Sequence, residues 1–149
     1  MAVELREIRE ADIPALFAYQ DDPEANEMAA FPARDETAFR EHLGRVLANP
    51  DNIARAIVDG DVVVGQIGSW SDEQDGTRDV GYWIGREHWG NGYATDALRA
   101  LLAIERERPL WAYIEEHNVG SQRVVEKCGF DLDRTVQEDV LMRVYVLHA

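Results

Sequence analysis

The stretch Trp89-Gly90-Asn91-Gly92-Tyr93-Ala94-Thr95 sets two glycines around an asparagine, just ahead of an amphipathic helical pattern. Ordering a glycine is entropically costly, so two at a helix start need a reason. At such a junction the first N–H groups have no intrahelical partner, and the helix dipole favours an anion. Residues without a Cβ let a phosphate approach the backbone, and Ala94 continues the run of small residues. A Rossmann fingerprint would need a third glycine where Thr95 stands. A P-loop would need Gly-Lys-Ser/Thr, and no lysine is there. On this stretch alone, a tight turn that binds nothing accounts for the glycines equally well.

A second constellation follows at Asn118-Val119-Gly120-Ser121 and Glu126-Lys127-Cys128-Gly129-Phe130. Asn118 can cap a short helix and Gly129 can end it. Cys128, among Val124, Val125 and Phe130, reads as a small core residue. His88 and His117 flank the two blocks, but no carboxylates or thiols cluster with them at ligand spacing, so no metal site is expected.

The elements that would position these residues alternate in type. Residues 3–9 alternate as a strand, and a helix follows to Gln20, with Asp12 as its cap and Pro14 in its first turn. Residues 21–34 carry two prolines and little periodicity, and read as a loop with at most a helical turn. Residues 35–49 place Phe39, Leu43, Val46 and Leu47 on one helical face. Two strands meet at an Asp59-Gly60 hairpin turn, and a third spans 78–85. A helix over 92–108 carries Ala94, Ala97, Leu98, Leu101 and Leu102 on one stripe, with Pro109 as its stop and residues 105–108 as a solvated end. Strand 110–115, helix 118–130 and strand 140–148 complete the order, with a further short strand near Phe130. This is an α/β domain with a mixed, mostly antiparallel sheet flanked by helices.

A chain of 149 residues, 46% of them hydrophobic, suits one globular domain, residues 1–149. Its apolar runs, such as Val62-Val63-Val64, are too short to span a bilayer, and its charged first residues are no signal peptide. A cytoplasmic protein is expected. The single cysteine excludes an intrachain disulfide. A net charge of −14 argues against nucleic-acid or anionic-membrane partners and suits a cationic one. Composition bias is a competing reading of that charge: Lys127 is the only lysine among fifteen basic residues.

The block Gly81 to Leu102, followed by His117 to Phe130, resembles the GNAT superfamily of N-acetyltransferases. It looks most like the branch typified by ribosomal-protein N-terminal acetyltransferases. Trp89 to Ala94 matches the family's pyrophosphate loop, with Trp89 in place of the usual Gln or Arg. The resemblance implies that acetyl-coenzyme A lies in a split between two strands, the first being 78–85. Its pantetheine arm would pair with backbone near Trp83 and Ile84. Its pyrophosphate would rest on Gly90, Asn91, Gly92, Tyr93, Ala94 and Thr95, beside Trp89. Asn118 would contact the pantetheine arm as well as cap its helix.

The implied reaction is amine attack on a thioester, in which the amine loses a proton and a thiolate leaves. Many relatives carry a tyrosine where Val125 stands here. In the resembled branch a serine matching Ser121 is the proposed proton donor. Asp79 stands where several relatives have a catalytic glutamate, and Glu115 and Glu116 are further candidates for the base. Catalysis by positioning alone, with water taking the proton, is also open. The acceptor expected is a protein N-terminus or small cationic amine. Its site would lie largely in the loop holding Asp21, Asp22, Glu24, Glu27, Met28 and Phe31. Two other readings stand beside this: a catalytically weak member of the fold that binds acyl-coenzyme A as a sensor or interaction module, and an unrelated nucleotide-binding domain. Monomer and homodimer are both open.

Overall fold

The computed structural model describes residues 3–29 and 33–149. Among them, seven strands form one sheet in the order β1-β2-β3-β4-β5-β7-β6. They are β1 (Glu4–Arg6), β2 (Ile53–Asp59), β3 (Val62–Ser71), β4 (Arg78–Ile84), β5 (Leu110–Glu115), β6 (Asp131–Gln137) and β7 (Leu141–Leu147). The helices are α1 (Ile13–Gln20), α2 (Pro23–Ala29), α3 (Glu36–Ala48), α4 (Tyr93–Ile104) and α5 (Val119–Lys127). Every strand pair is antiparallel except β4 with β5. The expected mixed, mostly antiparallel sheet is the one observed.

The sheet separates two apolar layers. Ala97, Leu98 and Leu101 of α4 and Val125 of α5 pack with Ile57, Val64 and Leu110 in one. Leu16 of α1 and Phe39 and Leu43 of α3 form the other, which Val63 joins. Val63 and Val64 are successive strand residues, so they face opposite sides. Leu98 and Leu101 are 1% and 0% exposed, and burying each contributes about 1.5–3 kcal/mol. The stripe read from the sequence is thus the face that fixes α4 to the sheet.

Several expectations change. Residues 21–34 hold a real helix, α2, in place of a loop. The Asp22 carboxylate accepts the N–H groups of Glu24 and Ala25 at 3.1 and 3.5 Å, and Pro23 sits at the first helical position, where its missing N–H costs nothing. Ala25 is its only buried residue, too little to leave a period in the sequence. Asp12 does not cap α1 with its side chain. It is 5% exposed and takes two hydrogen bonds from the Arg6 guanidinium, at 2.7 and 2.9 Å. β6 is a full hairpin partner of β7, not a short strand. Its side chains are nearly all exposed, so no apolar alternation marks it.

The α4 end differs most. The helix stops at Ile104 because the next residue turns inward. Glu105, expected to be solvated, is 4% exposed. Its carboxylate accepts hydrogen bonds from Ser69 Oγ at 2.6 Å and Arg78 Nη2 at 3.0 Å. Burial pushes the Glu105 carboxyl up, but the bonds from Ser69 and Arg78 outweigh it and hold the group below its ordinary value. This cluster ties the end of α4 to β3 and to the first residue of β4.

Arg78→Met leaves Glu105 buried without its cation, which costs about 3–5 kcal/mol. Urea denaturation at neutral pH measures this. In the native protein Glu105 has a lowered pKa. The pair's stability is therefore full above the ordinary carboxylate value and lost as pH falls through the native one. The gap between variant and native protein should narrow over that range. A difference below about 1 kcal/mol at neutral pH contradicts the clamp.

Candidate functional site

β4 and β5 pair only at Arg78 with Leu110 and Asp79 with Trp111. Beyond those pairs the strands diverge, and among the described residues no strand pairs with β4 on that side. Extended backbone with a free edge accepts a linear amide-bearing ligand as an added strand. Two cavities open into the split, of about 580 Å³ and about 710 Å³. Tyr82, Trp83, Asn118 and Ser121 line both. Ligands entering the two cavities therefore meet at those residues.

The smaller cavity is built on the glycine turn. Gly90 and Gly92 take φ of 81° and 79°, the left-handed region that glycine enters without strain. A Cβ at Gly90 or Gly92 would meet nothing within 4 Å, so the space above the turn is open. Gly92 stands at the N-cap of α4, and the free N–H groups of the first turn follow it. Asn91 Nδ2 donates to the His88 carbonyl at 3.0 Å. Trp89 Nε1 donates to the Ile84 carbonyl at 2.9 Å. Tyr93 Oη donates to Asp59 at 2.6 Å. The Trp89 and Tyr93 bonds fix the turn to β4 and to the β2–β3 hairpin, and the Asn91 bond closes it locally.

Of the residues expected to hold a phosphate ligand, Trp83, Ile84, Trp89, Gly90 and Asn118 line this cavity, as does the run from Gly92 to Thr95. Asn91 does not; its side chain serves the turn. Arg123 and Lys127 of α5, one helical turn apart, also line it. Sequence reasoning passed over them, although they set the only lysine of an acidic chain beside a glycine turn at a helix start. Cys128 lies against α4, with its thiol 3.8 Å from the Thr95 carbonyl, in the packing role expected.

At the meeting point, Asn118 caps α5: its Oδ1 accepts the Ser121 N–H at 3.3 Å. That cap presents the Ser121 hydroxyl to the split. Tyr82 Oη donates to Ser121 Oγ at 2.7 Å. Burial pushes the Tyr82 phenol up to about 12, against the hydrogen bond with Ser121, so the phenol stays protonated. Tyr82 was missed in the sequence. The signal was there: period two puts it on the face of Val80 and Ile84, as the one hydroxyl among apolar neighbours.

The larger cavity is lined by Trp70, Tyr113 and Phe39 and by Asp72, Glu73 and Glu115, with Arg34 and His42 also on its wall. The acidic side chains expected here are elsewhere. Asp22 pairs with Arg86 at 2.8 Å, and Glu24 pairs with the same guanidinium. Asp21 and Glu27 line neither cavity, and Met28 lines the smaller one. Phe31 is outside the described residues.

The candidate bases separate. Asp79 is 6% exposed, at the closed end of the split. Burial raises its carboxyl, opposed by the hydrogen bond from Thr77 and aided by Asp72 and Asp75. It lines neither cavity, and nor does Glu116, whose carbonyl accepts Gln122 Nε2 at 2.6 Å. Glu115 lines the larger cavity and holds His117 Nδ1 at 2.9 Å. That bond pushes the His117 imidazole up.

A family model described as an acetyltransferase (GNAT) domain matches residues 2–131. An uncharacterized N-acetyltransferase of Bacillus licheniformis is 28% identical, over 95% of this chain and 82% of the relative. A spermidine N-acetyltransferase from Vibrio cholerae, solved with coenzyme A and spermine, superposes with a TM-score of 0.85. It is 12% identical, over 98% of this chain and 95% of that one. An aminoglycoside acetyltransferase solved with coenzyme A gives 0.81 at 19% identity, over 99% of this chain and 95% of that one.

Two glycines isolate the backbone demand of the turn. Neither Gly92 nor Gly44, in α3, has an atom within 4 Å of a built Cβ, but only Gly92 has a positive φ. Gly92→Ala should destabilise the protein by roughly 1–2 kcal/mol. Gly44→Ala should stabilise it by about 0.5–1 kcal/mol. Chemical denaturation checks both; equal signs contradict a left-handed Gly92.

Proposed function

The chain belongs to the GNAT acetyltransferase family, and from that premise we propose that it transfers the acetyl group of acetyl-coenzyme A to a primary amine on a cationic acceptor. The observation that carries this reading is the meeting of two cavities at Tyr82, Trp83, Asn118 and Ser121, in the mouth of the β4–β5 split. The residues fit the co-substrate part by part. The pantetheine amides would pair with the free edge of β4 beyond Asp79. The pyrophosphate would take the N–H groups between Gly90 and Thr95, where bare backbone and the α4 dipole favour it. Arg123 and Lys127 would offset the remaining phosphate charge. Asn91 would act through the shape of the turn alone.

The acceptor would enter the larger cavity. Carboxylates attract a cation, and the faces of Trp70 and Tyr113 can cover its stem. The folds solved with spermine and as an aminoglycoside acetyltransferase support an acceptor of this charge. A protein N-terminus meets the same description, and the branch of ribosomal-protein N-terminal acetyltransferases is supported by Trp89 and by Asn118 with Ser121. A cytoplasmic location is part of this reading.

In the reaction, the acceptor's ammonium first loses a proton to become nucleophilic. Glu115 faces that step directly; Asp79 would act on it through water, and Glu116 only by its charge. The amine nitrogen then attacks the thioester carbon, and Ser121 gives its proton to the departing sulfur.

Acetyl-coenzyme A should raise the melting temperature, by the equivalent of about 2.7 kcal/mol at a hundredfold excess over its Kd. Ser121→Ala should lower kcat roughly 10²-fold with little change in cofactor affinity. The rate should rise with pH until the bound amine is neutral. Amines matched in size but differing in charge decide the acceptor class. Higher kcat/KM for anionic members contradicts the proposal, and a thermal shift with no turnover of any amine makes the protein a binding module.

A further inference from the structure

Serine is a weak acid. If Ser121 gives a proton to a leaving thiolate, an alkoxide is left unless another group refills it at once. The group in place is the Tyr82 phenol, 2.7 Å away and donating to Ser121 Oγ. Both residues line both cavities. Among the described residues no carboxylate does so. A proton released on the acceptor side therefore has one hydroxyl pair, and no carboxylate, leading to the sulfur side.

We propose that Tyr82 and Ser121 form a two-hydroxyl relay that carries the N–H proton of the attacking amine to the departing sulfur. This rests on the assignment of Ser121 as proton donor and adds a catalytic residue to it. The balance is as follows. The nitrogen lone pair forms the C–N bond, and the carbonyl π electrons move to oxygen. Their return breaks the C–S bond, and sulfur leaves with that electron pair. Sulfur takes the Ser121 Oγ–H proton, Ser121 takes the Tyr82 Oη–H proton, and Tyr82 takes a proton from the positively charged nitrogen. Both hydroxyls end as they began, and one proton has moved from nitrogen to sulfur.

The surroundings suit this role. Burial keeps Tyr82 neutral between turnovers, near pKa 12. A phenolate formed in transit is then a strong enough base to take a proton from an alkylammonium nitrogen. The ordinary alternative is that Tyr82 only anchors α5 to β4. An anchor would alter stability and affinity but not the number of protons in flight.

The test is single-turnover transfer from acetyl-coenzyme A to spermidine, with slower transfer to water as a second probe. Native protein, Tyr82→Phe, Ser121→Ala and the double variant are compared. Tyr82→Phe keeps the ring and removes the hydroxyl, so acetyl-coenzyme A affinity should be unchanged. The relay predicts a loss of roughly 10²-fold in each single variant and no further loss in the double variant, because the pair acts as a unit. In mixtures of light and heavy water, the native rate should follow a bowed curve and the Tyr82→Phe rate a straight line. Native rates in Tyr82→Phe with slow Ser121→Ala overturn the relay and leave Ser121 as sole donor. Native rates in both overturn the Ser121 assignment itself. Losses that multiply in the double variant, or a straight line for the native protein, overturn the relay. The native-protein curve needs no variant to fold.

Discussion

Everything in the site follows from a sheet that fails to close. β4 and β5 hold two residue pairs and then part, while each keeps a full partner on its other side, β3 and β7. A parallel pair released from its ladder leaves polar backbone groups that need partners. The protein keeps the closed end shut with a buried ion pair. Arg78, in the last registered pairs, is held by Glu105 and Ser69. A buried ion pair is a weak source of net stability, but its geometry is exacting. Here it fixes where the split begins.

The open end is governed by charge. A protein of net charge −14 repels phosphates over most of its surface. The smaller cavity reverses that locally, through the α4 dipole, the glycine turn, and Arg123 with Lys127. The larger cavity keeps the general sign, with Asp72, Glu73 and Glu115 outnumbering Arg34 at its wall. Two ligands of opposite charge would thus be sorted to opposite mouths of one split before they meet at Ser121.

Much of this was legible in the sequence, for physical reasons. The glycine turn announces itself because left-handed backbone is a local property, and Asn118 because capping is one too. The α4 stripe is legible because its packing repeats every turn. What escaped depends on distant chain. Glu105 looks like one charge in a solvated row until β3 and β4 supply Ser69 and Arg78. Tyr82 looks like a strand aromatic until α5 brings Ser121 beneath its hydroxyl. The acidic residues Asp22 and Glu24 look like an acceptor site until Arg86 folds back onto them. α2 and β6 bury too little to print a period on the sequence.

Amide hydrogen exchange with and without coenzyme A tests the central claim directly, since it reads the free edge of β4 itself. The account predicts new protection at the β4 amides between Val80 and Ile84 that face the split, and at the amides from Gly92 to Thr95, with β2 unchanged. Protection absent from both segments, in a sample where calorimetry shows coenzyme A bound, would contradict it.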